Sequence, residues 1–197
     1  MEHIGLRARQ RQARGEAILC AAFDLMAEQG YEALTMEVLA EQVGISRQTL
    51  YHHFASKEDI ALRAVLKLME QGTQAIYELD TASSPLARLE RVIRWMLELR
   101  FSPNGAAFVK ARPALGPIKA HPEYRRAFIQ RTEAINGIVK AAQSAREINT
   151  SLPSALIVQM LLGLVVGAEY EELIAASVIS PADVTEMVVA AFFQGVR

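Results

Sequence analysis

The chain has 197 residues, of which 51% are hydrophobic, and its formal net charge is −1. This composition excludes a disordered protein, and the single cysteine, Cys20, excludes an internal disulfide. The charged N-terminus predicts no secretory signal, and the longest apolar run, residues 155–168, is shorter than the roughly 20 residues that cross a bilayer. We therefore predict a cytoplasmic protein with no membrane span.

Apolar residues recur at intervals of three and four, which is the helical period, and strand-like alternation is absent from the sequence. The pattern therefore predicts an all-α fold. The first helix is expected from about Leu6 to Gln29, with Gly30 just past its end. Two short helices follow, because Thr35 can cap the first, Gly44 can end it and Ser46 can cap the second.

Longer helices are predicted in the rest of the chain. Ser56 and Asp59 resemble a capping box that opens a helix from Lys57 to about Tyr77. Further helices are expected over residues 85–100 and 123–146, from Pro153 onwards and after Ser180, whereas residues 103–122 are rich in proline and should form a short helix and turns. We divide the chain into an N-terminal module that contains the short helices, residues 1–56, and a larger helical domain, residues 57–197.

The first three helices match the pattern of a helix-turn-helix, whose last helix enters the major groove of DNA. On a helical wheel Leu50 and Phe54 mark the buried side of the third helix, and Gln48 and His52 lie opposite. A guanidinium matches guanine and a carboxamide matches adenine, so Arg47 and Gln48 are suited to reading bases. The pattern thus predicts contact with double-stranded DNA.

Phosphate contacts are expected around this reading face. Thr49, Tyr51 and Lys57 are suited to them, and Lys57 also lies at a helix start, where backbone N–H groups favour an anion. Residues 1–60 carry six Lys or Arg against nine Asp or Glu, but residues 44–57 contain no acid. A basic arm is a further DNA-binding candidate, with a solvated terminus as the alternative. Its members are Arg7, Arg9, Arg11 and Arg14.

Residues 35–60 resemble the signature of the TetR family of bacterial transcriptional regulators. The resemblance rests on Gly44-Ile45-Ser46, Leu50-Tyr51, His53-Phe54 and Ser56-Lys57-Glu58-Asp59. It implies an N-terminal three-helix DNA-binding module and a larger C-terminal helical domain for ligand binding and dimerisation. It further implies a homodimer, usually a repressor, that binds a palindromic operator and releases it when a small-molecule effector enters the larger domain.

The resemblance also implies roles for individual residues of the module. Phosphate contacts are implied for Thr35, Tyr51 and Lys57. Contacts to the bases or the nearby backbone are implied for Arg47, Gln48, Thr49 and His52. His53 and Phe54 are implied to be more structural than reading residues.

Two apolar helices of the larger domain, one from Pro153 and one after Ser180, are predicted to pair with their copies across a two-fold axis. Small residues four positions apart allow the close approach of another helix. The alternative is that both helices are plain core. The candidate interface residues are Gly163, Gly167, Val184, Met187, Val188 and Phe192.

The resemblance implies a sensing pocket in the same domain, although a side chain of each candidate type more often belongs to plain core than to a ligand wall. The candidates are Trp95, Met96, Leu99, Phe101, Phe108, Met160 and Tyr170. Residues 61–140 carry thirteen Lys or Arg, Arg100 among them, against seven Asp or Glu. This excess favours an anionic effector, and a solvated basic face explains it as well.

Other functions have less support in the sequence. No His-Glu-x-x-His motif, glycine-rich phosphate loop or Cys/His cluster occurs, and the neighbouring His52 and His53 would point about 100° apart on a helix. We therefore predict no catalysis, no cofactor and no bound metal. A helical adaptor for another protein is one alternative, and activation instead of repression is another.

Overall fold

The computed structural model describes residues 5–102, 105, 109 and 116–196. Within these residues the chain is helical and contains no strand, which confirms the all-α prediction. The chain divides into two compact units, Met1–Leu68 with Pro103–Arg125, and Met69–Ser102 with Arg126–Arg197. The first unit extends beyond residue 56, the predicted end of the N-terminal module. The side chains of Ile60 and Val65, which follow that residue, are buried.

Ten α-helices have both of their ends within the described residues. In chain order they are α1 (Leu6–Gln29), α2 (Met36–Val43), α3 (Arg47–Tyr51), α4 (Lys57–Tyr77), α5 (Pro85–Phe101), α6 (Gly116–Ala120), α7 (Pro122–Ser144), α8 (Ser154–Leu162), α9 (Glu171–Ala175) and α10 (Pro181–Val196). A 3-10 turn, Tyr31–Ala33, precedes α2.

The core of the first unit is formed by α1 to α3 and the first turns of α4. Helix α1 packs against α2, and α2 packs against α3. The fully buried side chains that join them include Ile18, Leu25, Leu39 and Leu50. Because α3 has only five residues, this packing, and not its own length, keeps it helical.

The larger unit is built around α5, α8 and α10, which pack on one another. Its centre holds Leu89, Ile93, Leu97, Leu161 and Phe192, all buried. The close approach of α4 to α5 depends on a glycine, since a β-carbon at Gly72 would lie 2.7 Å from Cη2 of Trp95.

The apolar helix from Pro153 is shorter than the sequence pattern indicates. Helix α8 ends at Leu162, and a π-helix, Gly163–Gly167, replaces its continuation. By length and composition alone, the stretch Ser154–Ala175 could cross a membrane, with a mean hydropathy of 1.4 and 22% of the window buried. One such stretch is weak support for a membrane span, because apolar helices of globular folds meet the same criterion.

Candidate functional site

Three capping residues fix the geometry of the α2–α3 pair. Oγ1 of Thr35 accepts a hydrogen bond from the Val38 N–H at 3.2 Å, and Oγ of Ser46 accepts from the Thr49 N–H at 3.1 Å. Between the two helices Gly44 has φ 71° and ψ 36°, the left-handed region that glycine adopts without strain. The turn between the helices is therefore set by local chemistry at both ends.

Helix α3 has one buried side and one solvent side, as its sequence predicts. Leu50 and Phe54 are buried, whereas Gln48, Tyr51 and His52 are exposed. Tyr51 is 53% exposed although its side chain is large and aromatic, so part of its ring is accessible to a ligand. The outward face of α3 is thus a polar surface carried by a short, anchored helix.

The first residue of α3, Arg47, is held by an acid on α2. Its Nη1 donates to Oε1 of Glu37 at 2.8 Å, and the two side chains are 64% and 59% exposed. This hydrogen bond holds the pKa of the Glu37 carboxyl below its usual range. Arg47 is therefore accessible to solvent and is braced through one nitrogen.

Lys57 lies at the start of α4, half-buried beside the 3-10 turn. Its Nζ lies 4.8 Å above the ring centre of Tyr31 and 3.9 Å from Oε2 of Glu32. The ring and the carboxylate restrict the position of the ammonium group. The group keeps donors for an anion, because an ammonium has three N–H bonds.

A basic cleft of about 510 Å³ lies between α1 and the end of α3. Nη2 of Arg11 donates to the carbonyl oxygen of His52 at 3.3 Å, which joins the two walls. A β-carbon at Gly15 would lie 3.8 Å from Nδ1 of His53, so α1 passes close to that ring. The cleft is lined by Gln10, Arg11, Arg14, Thr49, His52 and His53.

The electrostatics of this cleft favour an anion. Partial burial lowers the pKa of His53, and the nearby charges of Arg11, Arg14 and His52 lower it further. The lowered pKa favours the neutral ring near pH 7. An anion placed among these groups would reverse the effect of the two guanidinium charges and favour the protonated ring.

The basic arm is part of a helix. Arg9, Arg11 and Arg14 lie within α1, and their side chains are exposed. The backbone of Arg7 also lies in α1, but its side chain is outside the described residues. Arg11 and Arg14 reach the cleft, whereas Arg9 is not among its lining residues.

The candidates for a sensing pocket occupy the larger unit. Met96 is buried, whereas Trp95, Leu99, Phe101, Met160 and Tyr170 are half-buried, and Phe108 lies outside the described residues. Hydroxyl Oη of Tyr170 donates to the Leu164 carbonyl at 2.9 Å, and the guanidinium carbon of Arg100 lies 5.0 Å from the Tyr170 ring centre. These contacts place Tyr170 beside the π-helix.

Arg100 is a buried charge with several partners. Its Nε and Nη2 donate to the Glu171 carboxylate at 2.8 and 2.7 Å, and its Nη1 donates to the Val165 carbonyl at 2.7 Å. A further bond from Nη2 reaches the carbonyl of Ala168. Because these acceptors balance its charge, Arg100 does not support the expectation of an anionic effector.

The predicted interface residues fall into two groups. Val184, Val188 and Phe192 are buried within one chain, so their side chains have almost no surface left for a partner. Met187 is 62% exposed on α10, and Gly163 and Gly167 are exposed on the π-helix. The helical period explains the split, because one face of α10 packs into the core and Met187 lies on the other.

Two residues of the α3 face and the basic cleft, Glu37 and Gln10, were not among the residues that the sequence predicted for DNA binding, and His53, which lines the cleft, was given a structural role. Gln10 and Arg14 are four residues apart on α1, and this spacing on one helix face was a usable signal. The pairing of Glu37 with Arg47 depends on the angle between α2 and α3, so the sequence carried no local signal for it. Among the described residues no group of three or more His, Cys, Asp or Glu could hold a metal ion.

Comparison with known proteins places the N-terminal part of the chain among bacterial regulators. Residues 18–64 match the family model described as bacterial regulatory proteins, tetR family. The transcriptional regulator TcmR of Streptomyces glaucescens is 32% identical over 47% of this chain and 41% of its own length. RutR of Escherichia coli is 30% identical over 48% of this chain and 45% of its own length. The chain thus spans less than half the length of these two relatives.

Other similarities extend over most of the chain at lower identity. The regulator UidR of Escherichia coli is 24% identical over 88% of this chain and 89% of its own length. The crystal structure of the regulator FadR from Bacillus subtilis in complex with stearoyl-CoA covers 92% of this chain and 99% of its own, with a TM-score of 0.78 and 20% identity. The structural match shows that the fold of both units is shared.

Proposed function

We propose that the chain is a member of the TetR family of bacterial regulatory proteins, whose family model matches residues 18–64, and that it is a cytoplasmic transcriptional regulator that binds a palindromic operator as a homodimer. The observation that carries the proposal is the outward face of α3. That face presents the exposed side chains of Arg47, Gln48, Tyr51 and His52 on a helix whose opposite side is anchored in the core. We assign the chain no catalytic reaction, because its named relatives are transcriptional regulators.

We assign the contacts to the bases to the first turn of α3. Arg47 can donate two hydrogen bonds to guanine O6 and N7, and Gln48 can match adenine N6 and N7. Thr35 and Tyr51 are suited to phosphates, and the hydroxyl of Thr35 can still donate, since its oxygen accepts from the Val38 N–H. Thr49 and His52 are proposed to contact either the base edges or the neighbouring DNA backbone.

The basic cleft is proposed to hold one backbone phosphate beside the reading face. Arg11 and Arg14 supply charge from α1, and His53 supplies a donor when protonated. Lys57 is proposed to contact a second phosphate from the start of α4. Each phosphate neutralised adds about 0.9 to the slope of log affinity against log salt. Phosphate contacts therefore raise affinity without choosing a sequence.

Dimerisation is proposed to use the outer faces of α8 and α10. Leu156 and Met187 are exposed apolar side chains, and Ala190 on α10 and Gly163, which follows α8 in the π-helix, offer small exposed positions. A second copy would cover these groups, and a two-fold pair would present two α3 helices to half-sites roughly 34–36 Å apart. Met187→Glu should shift the mass measured by sedimentation from dimer to monomer. Glu186→Gln, a neighbouring change that adds no charge to the apolar face, should leave the dimer intact.

The larger unit is proposed to bind a small-molecule effector that releases the operator. The fold of FadR holds stearoyl-CoA in its crystal structure, which supports an effector role for the same fold here. The proposed wall is formed by the half-buried side chains beside the π-helix, including Trp95, Met160 and Tyr170. A compound that binds this unit should quench Trp95 fluorescence. It should also weaken DNA binding and so relieve repression.

The experiment that tests the proposal is a selection of random duplex DNA on the purified protein. The proposed function predicts that a palindrome emerges, and that Arg47→Ala with Gln48→Ala loses it. Recovery of no sequence, or of salt-sensitive binding without sequence preference, would overturn the proposal in favour of a helical adaptor. Purified Cys20→Ser should recover the same palindrome as the unchanged chain, because Cys20 is an exposed residue of α1 and is not part of the α3 face.

A further inference from the structure

We propose that Glu37 is a specificity-determining positioning residue, which braces the Arg47 guanidinium so that it reads one G·C pair in each operator half-site. The inference rests on the proposed function, since it needs α3 in the major groove. Glu37 itself acts through Arg47 and does not touch the bases. The proposal follows from the ion pair that joins the first turns of α2 and α3.

The geometry of the pair suits a brace. Glu37 is the second residue of α2, whose start is capped by Thr35, and Arg47 is the first residue of α3, whose start is capped by Ser46. The two backbones are therefore fixed at the points from which the side chains leave. The bond between Oε1 and Nη1, 2.8 Å long, then limits the rotamers of the long arginine side chain. The Nε and Nη2 edge of the guanidinium remains suitable for the two acceptors of guanine.

The pair has little value for stability, which points to a different role. Its side chains are 64% and 59% exposed, and exposed ion pairs contribute little to folding because water and salt screen them. A carboxylate at a DNA-facing helix start is also unfavourable for affinity, because it repels phosphates. A braced arginine gains discrimination from this arrangement, since a guanidinium held by Glu37 cannot turn to a phosphate instead of a base.

The ionisation of the pair is consistent with a brace that persists at working pH. Arg47 lowers the pKa of the Glu37 carboxyl, mainly through the hydrogen bond that the two side chains share. The carboxylate therefore stays charged well below neutral pH. A matched residue on the same helix, Glu41, is also exposed, and the structure assigns it no ion pair with Arg47.

The test compares Glu37→Gln with Glu41→Gln on the palindrome that the selection recovers. Affinity is measured by fluorescence anisotropy for that duplex and for duplexes with each symmetric G·C pair changed to A·T. Both variants should bind non-specific duplex about twofold more tightly, because each loses one negative charge. Glu37→Gln alone should lose about tenfold of the discrimination at one symmetric position. Thermal unfolding of both variants should match that of the unchanged chain.

A double-mutant cycle separates the brace from direct reading. In an Arg47→Ala background, Glu37→Gln should change discrimination at no position, because the guanidinium it positions is gone. The inference is overturned if Glu37→Gln keeps full discrimination, if Glu41→Gln loses as much, or if Glu37→Gln still alters specificity without Arg47. A failure of the unchanged chain to bind any palindrome would overturn the proposed function itself, which separates the two results.

Discussion

Replacing Arg100 with methionine tests whether a buried charge holds the π-helix in place. The side chain of Arg100 is 5% exposed and that of its partner Glu171 is 40% exposed. Methionine is similar in length and apolar, so the change removes the hydrogen bonds and leaves most of the packing. The carbonyl oxygens of Val165 and Ala168 lose a charged donor, while Glu171 can turn to water.

The expected loss follows from these partners. Each buried carbonyl left without a donor costs about 1–3 kcal/mol, and the partly exposed carboxylate adds little. We expect Arg100→Met to lower the free energy of unfolding by about 3 kcal/mol, which is roughly 10 °C in Tm for a chain of this size. Thermal and urea unfolding followed by circular dichroism measure both quantities.

Arg94→Met provides the control on the same helix. Arg94 also pairs with a carboxylate, Glu186, but its side chain is 31% exposed and that of Glu186 is 66% exposed. Solvent screens this pair, so its loss should cost about 1 kcal/mol or less. Equal losses for Arg94→Met and Arg100→Met would refute the reasoning, because burial would then make no difference.

Four further changes test other parts of the structure. Gly72→Ala should destabilise the larger unit by about 2 kcal/mol and shift the emission of Trp95, because its β-carbon would lie 2.7 Å from Cη2 of that ring; an unchanged Tm and emission would contradict this packing. Gly44→Ala should lower the free energy of unfolding in urea by about 1 kcal/mol, because φ is 71° there. Gly137→Ala should instead raise it by about 0.5–1 kcal/mol, because Gly137 lies within a helix and has open space around the new β-carbon. His53→Gln should flatten the pH dependence of operator affinity. The pKa of His53 is lowered in the free protein and a phosphate would raise it, so binding takes up at most one proton per protomer and tightens as pH falls; a pH profile that His53→Gln leaves unchanged would exclude this role.

Much of the fold could be predicted because its signals are local. The bounds of α1 and α4 agree with the sequence, and Thr35 and Ser46 cap α2 and α3 as their residue types indicate. Burial of Leu50 follows from the helical period alone. The division of the chain at residue 56 stays a prediction, as do the roles of individual residues in DNA binding.

The features that the sequence did not reveal depend on tertiary geometry. Arg100 and Glu171 are 71 residues apart, and their contact requires that α5 and the start of α9 already be close together. The π-helix itself has the same apolar composition as an α-helix, so no periodicity distinguishes it. The meeting of Arg11 with the His52 carbonyl likewise depends on how α1 lies against α3.

The central claim is that the outward face of α3 reads a DNA sequence, and affinity for the selected operator against a scrambled duplex tests it most directly. Arg47→Ala with Gln48→Ala is compared with Arg125→Ala and Gln130→Ala, exposed residues of the same types on α7, at two salt concentrations. The account predicts that the first pair loses the preference for the operator, by about 10²-fold, while the second pair keeps it. Equal preference in both double variants, or none in the unchanged chain, would contradict it.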